Sequence, residues 1–233
     1  MIVSPEISAG PEFFQFDAQE SLPQNWQAEV VEYAAKYARA ISYRTNHSTS
    51  REGLDRTVDG WTVDTRAVWD ELPWLVELYQ GPFLEFGRSI HNDLVPAEDE
   101  ELAFNVNRQF EWRGEAHVDD NPMQGLLGLE QYRPGDGGET VFGRNPAAHS
   151  KREINEDAEH LYLEPGILYL FNGRLWPHYG NGLRGLALRR ARKLNQPRIT
   201  IGFNYFRTRI GDREADRMPD LGEHLRGFTR IET

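Results

Sequence analysis

Two residues in the middle of the chain, His117 and Asp119, have the types and the spacing to bind one metal ion. At a strand end, side chains at i and i+2 lie on the same face, so an imidazole nitrogen and a carboxylate oxygen can share one ion. A His-x-Asp pair alone is a weak signal, because it arises often by chance. A further candidate, His178, follows a Pro165-Gly166 turn, an apolar run and a second glycine turn. That order predicts a strand that leads to a histidine.

Taken together, these three side chains predict a mononuclear metal site. If their strands are neighbours, two imidazoles and one carboxylate occupy one octahedral face and leave three positions open, as in non-haem Fe(II) oxygenases. The chain has no cysteine, which excludes disulfides, thiolate nucleophiles, cysteine-ligated zinc and iron–sulfur clusters. His149 and His160 are the alternatives to His178. His149 lies in a polar loop, and His160 lacks the preceding Pro-Gly turn and apolar strand.

A third motif, Arg198-Ile-Thr200, places a guanidinium and a hydroxyl on one face of a predicted strand. This pair suits bidentate binding of a carboxylate. Arg189 and Arg190 are the alternatives, but they lie in a loop-like basic segment, residues 184–193, where a fixed orientation is harder to hold. The segment is either a solvated loop or short surface helix, or a lid that recognises an anionic group on a substrate.

The elements that position these residues change in type near residue 100. Before it, apolar positions at helical spacing predict a helix from Trp26 to Ile41 and a helical zone over 67–90, interrupted near Pro73 and near Gly81-Pro82. After it, short runs between Gly- and Pro-rich turns predict strands at 102–110, 123–132, 139–142, 160–163, 167–171 and 198–206. The expected fold is mainly β, a double-stranded β-helix of jelly-roll or cupin type, supported on one face by the N-terminal helices.

The predicted strand over 102–110 alternates in character. Phe104 and Val106 share one face, whereas Asn105 and Asn107 share the other. The amide face either points to solvent or lines a polar cavity.

Length and charge narrow the class of protein further. A chain of 233 residues predicts a single domain, with a mostly helical support region at 1–100, a β-helix core at 101–210 and a C-terminal tail at 211–233. The net charge of −11 argues against nucleic acid and anionic membranes as partners. No apolar stretch approaches the roughly 18–20 residues of a membrane span, and no signal peptide is evident. A cytoplasmic location is therefore expected.

Four motifs in order resemble those of the 2-oxoglutarate- and Fe(II)-dependent dioxygenases, on the prolyl-hydroxylase-like branch of that superfamily. They span residues 102–206, and Arg198 lies farther after His178 than is usual in the family. The motifs are His117-Val-Asp119-Asp-Asn-Pro122, Gly137-Gly138-Glu-Thr-Val-Phe142, Pro165-Gly166-Ile-Leu-Tyr-Leu-Phe171 before His178, and Arg198-x-Thr200 before Tyr205-Phe206.

The resemblance implies a double-stranded β-helix in which Fe(II) is bound by His117, Asp119 and His178 and is chelated by 2-oxoglutarate. It also implies that Arg198, with Thr200 beside it, pairs with the distal carboxylate of this cosubstrate.

Further roles follow from the same resemblance. Tyr132 would add a hydroxyl to the cosubstrate carboxylate, and Asn107 would contact substrate. Trp176 and Arg189 are the other candidate substrate contacts.

The implied reaction uses O2 to hydroxylate an unactivated C–H bond of a small molecule, an amino acid or a natural-product intermediate, and releases succinate and CO2. Related halogenases have a small residue where this chain has Asp119, so hydroxylation, desaturation or cyclisation is favoured over halogenation. The alternatives are a protein or peptide prolyl hydroxylase and a non-catalytic cupin-type binding domain. A complete set of three ligands with a carboxylate-binding arginine favours the enzyme, and an anionic group on the substrate would match segment 184–193.

Overall fold

The computed structural model describes residues 10–44, 57–63, 65–96, 102–107, 110, 116–119, 122–207 and 229–231. For residues 39–44, 57–63, 65–66, 102–107, 207 and 229–231 the description covers the backbone alone. The strands are β1 (Phe14–Asp17), β2 (Ala38–Arg44), β3 (Thr57–Val63), β4 (Leu94–Pro96), β5 (Leu102–Asn107), β6 (Met123–Gly128), β7 (Thr140–Gly143), β8 (Ala158–Leu161), β9 (Ile167–Phe171), β10 (His178–Gly180), β11 (Arg198–Arg207) and β12 (Thr229–Ile231). The helices are α1 (Trp26–Tyr37), α2 (Thr65–Glu71), α3 (Pro73–Gln80), α4 (Pro82–Ile90), α5 (Lys151–Glu156) and α6 (Gly185–Leu194).

The strands form three antiparallel sheets. The main sheet has the order β1-β9-β6-β11-β4, and β5 pairs with β11 as well. The second sheet has the order β10-β7-β8, and the third has the order β12-β2-β3. An isolated bridge between His117 and His178 extends the second sheet beyond β10. The two sheets that carry the candidate site are therefore curled antiparallel sheets, as expected for a jelly roll.

Alternation along the central strands divides the core into two layers. In β9, Leu168 and Leu170 pack with the helices, whereas Tyr169 and Phe171 pack with Phe142 of the second sheet. A strand that is buried on both faces has apolar residues at successive positions, which explains the Ile-Leu-Tyr-Leu-Phe sequence of β9. In β11 the odd-numbered residues from 199 to 205 belong to the helical layer, so the even-numbered residues face the space between the sheets.

Helix α3 is fixed to β11 by buried tyrosines. The Tyr79 hydroxyl donates to the carbonyl of Asn204 at 2.6 Å, and the Tyr205 hydroxyl donates to the carbonyl of Tyr79 at 3.0 Å. The ring of Phe83 on α4 contacts that of Phe203 edge to face. The helices thus hold in place the strand that begins at Arg198.

The predicted breaks in the second helical zone are confirmed. Helices α3 and α4 each begin with a proline in the first turn, a position where the missing N–H costs nothing. The predicted strand at 167–171 is also confirmed, and the other predicted strands occur with bounds shifted by a few residues.

One prediction about elements is wrong. The helix from Trp26 ends at Tyr37, and Ile41 lies in β2, where pairing with β3 replaces the helical hydrogen bonds. For the basic segment 184–193 the sequence leaves both a loop and a short surface helix open, and the structure has the helix α6. The region 1–100, predicted to be mostly helical, also includes four strands. Of the predicted tail, β12 is described and pairs with β2, while 211–228 and 232–233 lie outside the described residues.

Within the described part of the chain, none of the helices combines the length and the apolar character needed to cross a membrane.

Candidate metal centre

The structure brings His117, Asp119 and His178 together. Each offers one ligand atom, and the three atoms lie within 4.8 Å of one another. Asp119 lies between the imidazoles, with its Oδ1 3.8 Å from Nε2 of His117 and its Oδ2 3.4 Å from Nε2 of His178. This convergence joins two segments separated by about sixty residues of sequence.

Main-chain hydrogen bonds hold the two segments side by side. The His117 amide donates to the His178 carbonyl at 2.9 Å, and the His178 amide donates to the His117 carbonyl at 2.8 Å. The Asp119 amide donates to the carbonyl of Gly173 at 2.9 Å. The side chains of His117 and Asp119 therefore emerge beside β10 on one face.

The donor set fits a single ion. Ligand atoms at about 2.1 Å from a metal and at right angles to one another lie about 3 Å apart, and the two distances from the Asp119 oxygens to the imidazoles, 3.4 and 3.8 Å, are somewhat longer. The side chains become more buried from His117, at 31% exposed, through Asp119, at 13%, to His178, at 6%. Two nitrogens and one oxygen on one face suit Fe(II) and leave positions open toward solvent.

The imidazole of His178 is fixed with Nε2 toward the cluster. Its Nδ1 lies 2.9 Å from the carbonyl of Trp176, so Nδ1 carries the proton and Nε2 keeps a lone pair. Phe142 stacks on the ring at 4.9 Å, and Phe171 contacts it edge-on at 5.7 Å. Burial lowers the pKa of His178 from 6.5 to about 4, although Asp119 opposes this shift. The ring is therefore neutral near pH 7, as a metal ligand must be.

Two residues without charge shape the position of the Asp119 carboxylate. With its nitrogen toward Asp119, the Gln124 amide donates to both carboxylate oxygens, at 3.2 Å for Oδ1. On the other side, a Cβ at Gly173 would overlap Oδ2 of Asp119. The carboxylate is thus held from one side and given room on the other.

Arg198 lies beside the strand that carries His178. A Cβ built on Gly180 would be 3.2 Å from Nη2 of Arg198, and Gly180 is two residues beyond His178 on β10. At about 3.3 Å per residue, the guanidinium is roughly 7 Å along the strand from the histidine. Burial lowers the pKa of Arg198, an effect opposed by Tyr132 and Glu139, and arginine remains charged at any working pH.

Tyr132 lies near this guanidinium, as its pKa reflects. Burial raises the pKa of Tyr132 well above its usual range, a hydrogen bond to Glu130 adds to the rise, and Arg198 and Arg190 oppose it. The hydroxyl donates to Oε2 of Glu130. The predicted hydroxyl contribution of Tyr132 to a cosubstrate carboxylate therefore requires exchange of this partner.

The remaining sequence candidates lie at different distances from the cluster. Thr200 shares the inner face of β11 with Arg198. Trp176 is 3% exposed and packs in the core between the sheets. Arg189 is exposed on α6. Asn107 pairs with Arg198 in the β5–β11 register, and its side chain lies outside the described residues, as does the alternating face of 102–107.

The alternative histidines lie away from the metal cluster. His160 is exposed and has its Nδ1 3.4 Å from Oε1 of Glu139. His149 is exposed in the turn before α5. In the described part of the chain, His117, Asp119 and His178 form the one group of three such side chains close enough to hold an ion.

Sequence reasoning missed two residues that lie against the Asp119 carboxylate, Gln124 and Gly173. Gln124 is five residues after Asp119, and neither its type nor its spacing distinguishes it from other polar residues of a strand. A signal was available for Gly173, which lies in the Asn-Gly turn before His178.

Comparison with known proteins adds information at the level of the fold. No family model and no curated protein sequence matches the chain. The solved structure of SnoN, a non-heme alpha ketoglutarate dependent epimerase from nogalamycin biosynthesis, is 13% identical with a TM-score of 0.56, over 84% of this chain and 79% of that one. A further structure of SnoN contains Fe3+, alpha ketoglutarate and nogalamycin RO.

Two more structures are similar in the same way. SnoK, a carbocyclase from nogalamycin biosynthesis, is 12% identical with a TM-score of 0.54, over 96% of this chain and 92% of that one. An oxidoreductase of the 2OG-Fe(II) oxygenase family from Burkholderia pseudomallei is 12% identical with a TM-score of 0.52, over 83% and 84%. The chain therefore has the jelly-roll fold of these oxygenases, and the predicted fold class is confirmed.

Proposed function

We propose that the protein is an Fe(II)- and 2-oxoglutarate-dependent oxygenase. The observation that carries this proposal is the convergence of His117, Asp119 and His178, with their ligand atoms within 4.8 Å, and a half-buried arginine on β11, in the other sheet, whose guanidinium lies beside β10. A binding domain needs neither a set of three ligands with open positions nor a fixed cation next to it. Bound iron with 2-oxoglutarate and O2 would supply the oxidation of a substrate C–H bond, with release of succinate and CO2.

In this function the triad binds iron, and its surroundings keep the ligands ready. The carbonyl of Trp176 holds His178 in the tautomer that presents Nε2. The Gln124 amide holds the Asp119 carboxylate. The rings of Phe142 and Phe171 cover His178 and exclude water from that side of the site. Such neighbours of the ligands determine both affinity and orientation.

Arg198 binds the distal carboxylate of 2-oxoglutarate. Its support is the position beside Gly180 on the strand of His178 and a hydrogen bond that fixes one terminal nitrogen on a main-chain carbonyl. Arg189, the alternative, is exposed on α6, where nothing described holds its side chain in one orientation. Thr200 shares the face of Arg198 and is the next candidate contact.

The proposed substrate is a small molecule with an anionic group, and the proposed outcome is hydroxylation. Helix α6 joins the His178 strand to the Arg198 strand and carries four cations, Arg189, Arg190, Arg192 and Lys193. Arg190 acts electrostatically on Tyr132, so this basic helix lies beside the cosubstrate end of the site. The names of SnoN and SnoK, which refer to nogalamycin biosynthesis, support a small molecule over a peptide.

The test is iron-dependent formation of succinate from 2-oxoglutarate across a panel of carboxylate- and phosphate-bearing small molecules and prolyl peptides. We expect one small-molecule class to stimulate succinate formation and to gain one oxygen atom by mass. His117→Ala and Asp119→Ala should abolish the stimulation, and His149→Ala, at an exposed position before α5, should keep it. Full turnover in either triad variant would contradict the proposed ligands, and stimulation by prolyl peptides alone would favour the peptide hydroxylase.

A further inference from the structure

A buried carboxylate that takes no part in the metal cluster lies behind the cosubstrate arginine. Glu139 immediately precedes β7 and is only 5% exposed, and Asn181, immediately after β10, is 4% exposed. The Asn181 side-chain amide donates to Oε1 of Glu139 at 2.8 Å, and its backbone N–H donates to the Glu139 carbonyl at 2.8 Å. Two hydrogen bonds therefore join the start of one strand to the end of its neighbour.

The same asparagine touches Arg198 through its main chain. Nη1 of Arg198 donates to the carbonyl oxygen of Asn181 at 2.7 Å. A guanidinium has five N–H donors, so the others remain for a carboxylate. The Asn181 carbonyl thus holds one end of the guanidinium, and the Asn181 side chain and amide are in turn held by Glu139.

We propose that Glu139 and Asn181 are positioning residues that fix Arg198 for the distal carboxylate of a 2-oxo diacid. This inference rests on the proposed function, since it concerns the selectivity of that cosubstrate site. A bidentate ion pair is sensitive to direction. Because one nitrogen of the guanidinium is fixed, its free N–H groups can bind a carboxylate from one direction only. The result is a site that favours 2-oxo acids with a second carboxylate over those without one.

The contacts that join Glu139, Asn181 and Arg198 form a clamp, and the close packing around it supports a positioning role. A Cβ at Gly137 would overlap the carbonyl oxygen of Gly182, and a Cβ at Gly138 would lie 2.8 Å from the Tyr132 ring. Gly137 and Gly138 both have positive φ, which glycine adopts at no cost. These glycines let the segment before Glu139 approach the segment after β10 closely enough for the clamp to form.

The charge of Glu139 gives the clamp a feature that can be tested. Its Oε2 has no hydrogen-bond partner among the described residues. Loss of the negative charge alone would leave Arg198 less neutralised and would strengthen its attraction for an anion. Loss of the hydrogen bond to Asn181 would free Arg198 and weaken binding. Replacement by an amide and replacement by a methyl group therefore separate the two effects.

The experiment measures anaerobic binding of two 2-oxo acids to the Fe(II)-loaded protein by the visible charge-transfer band. The first is 2-oxoglutarate, and the second is 2-oxopentanoate, which has the same chain without the distal carboxylate. We expect Asn181→Ala and Glu139→Ala to weaken binding of 2-oxoglutarate by about tenfold or more and to leave 2-oxopentanoate unchanged. Glu139→Gln retains an oxygen for Asn181 and removes the negative charge, so it should bind 2-oxoglutarate at least as tightly as the wild type.

Controls separate this inference from the function on which it rests. Glu159→Ala removes a partly exposed carboxylate from the neighbouring strand β8, where it pairs with Arg144, and should leave both affinities unchanged. Thermal unfolding identifies variants that do not fold. If Glu139→Ala does not fold, the affinities of Asn181→Ala alone test the positioning role. The inference is overturned if both alanine variants keep the wild-type preference, if both acids weaken equally, or if Glu139→Gln loses as much as Glu139→Ala. A wild-type protein with no preference for 2-oxoglutarate would instead overturn the proposed function.

Discussion

The Asp119 carboxylate has two oxygens, and a ligand set with open positions requires that it present one of them in a defined direction. Its backbone is tied to Gly173, and its side chain accepts from Gln124. Both imidazoles face it within 4 Å. A monodentate carboxylate without these contacts could rotate, so Gln124 and Gly173 determine how well the metal is held.

Removal of the Gln124 amide tests its contact with the Asp119 carboxylate. Gln124→Leu keeps the approximate size of the side chain and eliminates both hydrogen bonds to Asp119. We expect affinity for Fe(II) or Co(II) to fall by about 10–100-fold, measured by anaerobic calorimetry. Gln15→Leu, at an exposed position on β1, is the control and should bind as wild type. Equal affinities in the two variants would contradict the role of Gln124.

The space at Gly173 provides a complementary test. In Gly173→Ala the added methyl group would overlap Oδ2 of Asp119, so the carboxylate must move out of the cluster. We expect loss of metal binding measured by the same calorimetry. The control is Gly10→Ala, whose added methyl would meet Arg144 at ordinary contact distance, 3.4 Å. Retained metal affinity in Gly173→Ala would contradict the role of the Asp119 carboxylate as a metal ligand in this position.

The sequence predicts the candidate metal ligands better than it predicts the residues that hold those ligands in place. His117 and Asp119 stand out because side-chain type and an i, i+2 spacing are both visible in the sequence. Gln124, on β6, and Glu139, just before β7, are ordinary polar residues, and nothing in the sequence marks their contacts with Asp119 and Asn181. The contact of Glu139 with Asn181 depends on the pairing of β7 with β10, which a single sequence does not specify.

The segment from β10 through α6 to β11 is the element on which the proposed cosubstrate site depends. It begins with His178 and ends with Arg198, and α6 accounts for the long separation between them. Asn195 ends the helix in the left-handed conformation, with φ of 47°. The chain then turns directly into β11, which carries Arg198 toward β10.

A comparison of two arginines tests this assignment. Arg198→Ala removes a guanidinium held beside β10, and Arg189→Ala removes an exposed one on α6. From the worth of a hydrogen-bonded charge pair, roughly 1.5–3 kcal/mol, we expect Arg198→Ala to raise the KM for 2-oxoglutarate by about 10–100-fold. Arg189→Ala should leave that KM nearly unchanged in the same succinate assay. The reverse order would assign the cosubstrate carboxylate to α6.

Helices and strands were predicted correctly where local signals were strong. The prediction failed where strand pairing determined which element formed. Pro73 and Gly81-Pro82 interrupt the helical zone where expected, because proline cannot continue a helix from the preceding turn. The pattern from Trp26 runs on toward Ile41, but the chain leaves the helix at Ala38 to pair with β3. In segment 184–193 the many cations leave a solvated loop and a short surface helix open, and the helix forms because long basic side chains are good helix formers.

The three ligands belong to different parts of the chain, and only the folded molecule assembles them. His117 and Asp119 precede β6, and His178 lies on β10 of the other sheet. The main sheet is in turn backed by the helical layer, where Leu168 and Ile201 are fully buried. Metal affinity and the stability of the whole fold are therefore linked.

This linkage predicts stabilisation by metal. A ligand that binds only the folded chain stabilises it by about 2.7 kcal/mol at a hundred times its Kd. We expect the thermal unfolding midpoint of the wild type to rise on anaerobic addition of Fe(II) or Mn(II). Asp119→Ala, measured alongside, should unfold at the same temperature with and without metal. A rise of equal size in that variant would indicate binding elsewhere on the acidic surface.

If His117, Asp119 and His178 hold iron that 2-oxoglutarate chelates, anaerobic titration followed by visible absorption detects the complex. We expect a weak charge-transfer band that appears when both Fe(II) and 2-oxoglutarate are present, saturates at one iron per chain and is absent from folded Asp119→Ala. Folded wild-type protein without the band, or an equal band in Asp119→Ala, would contradict this proposal.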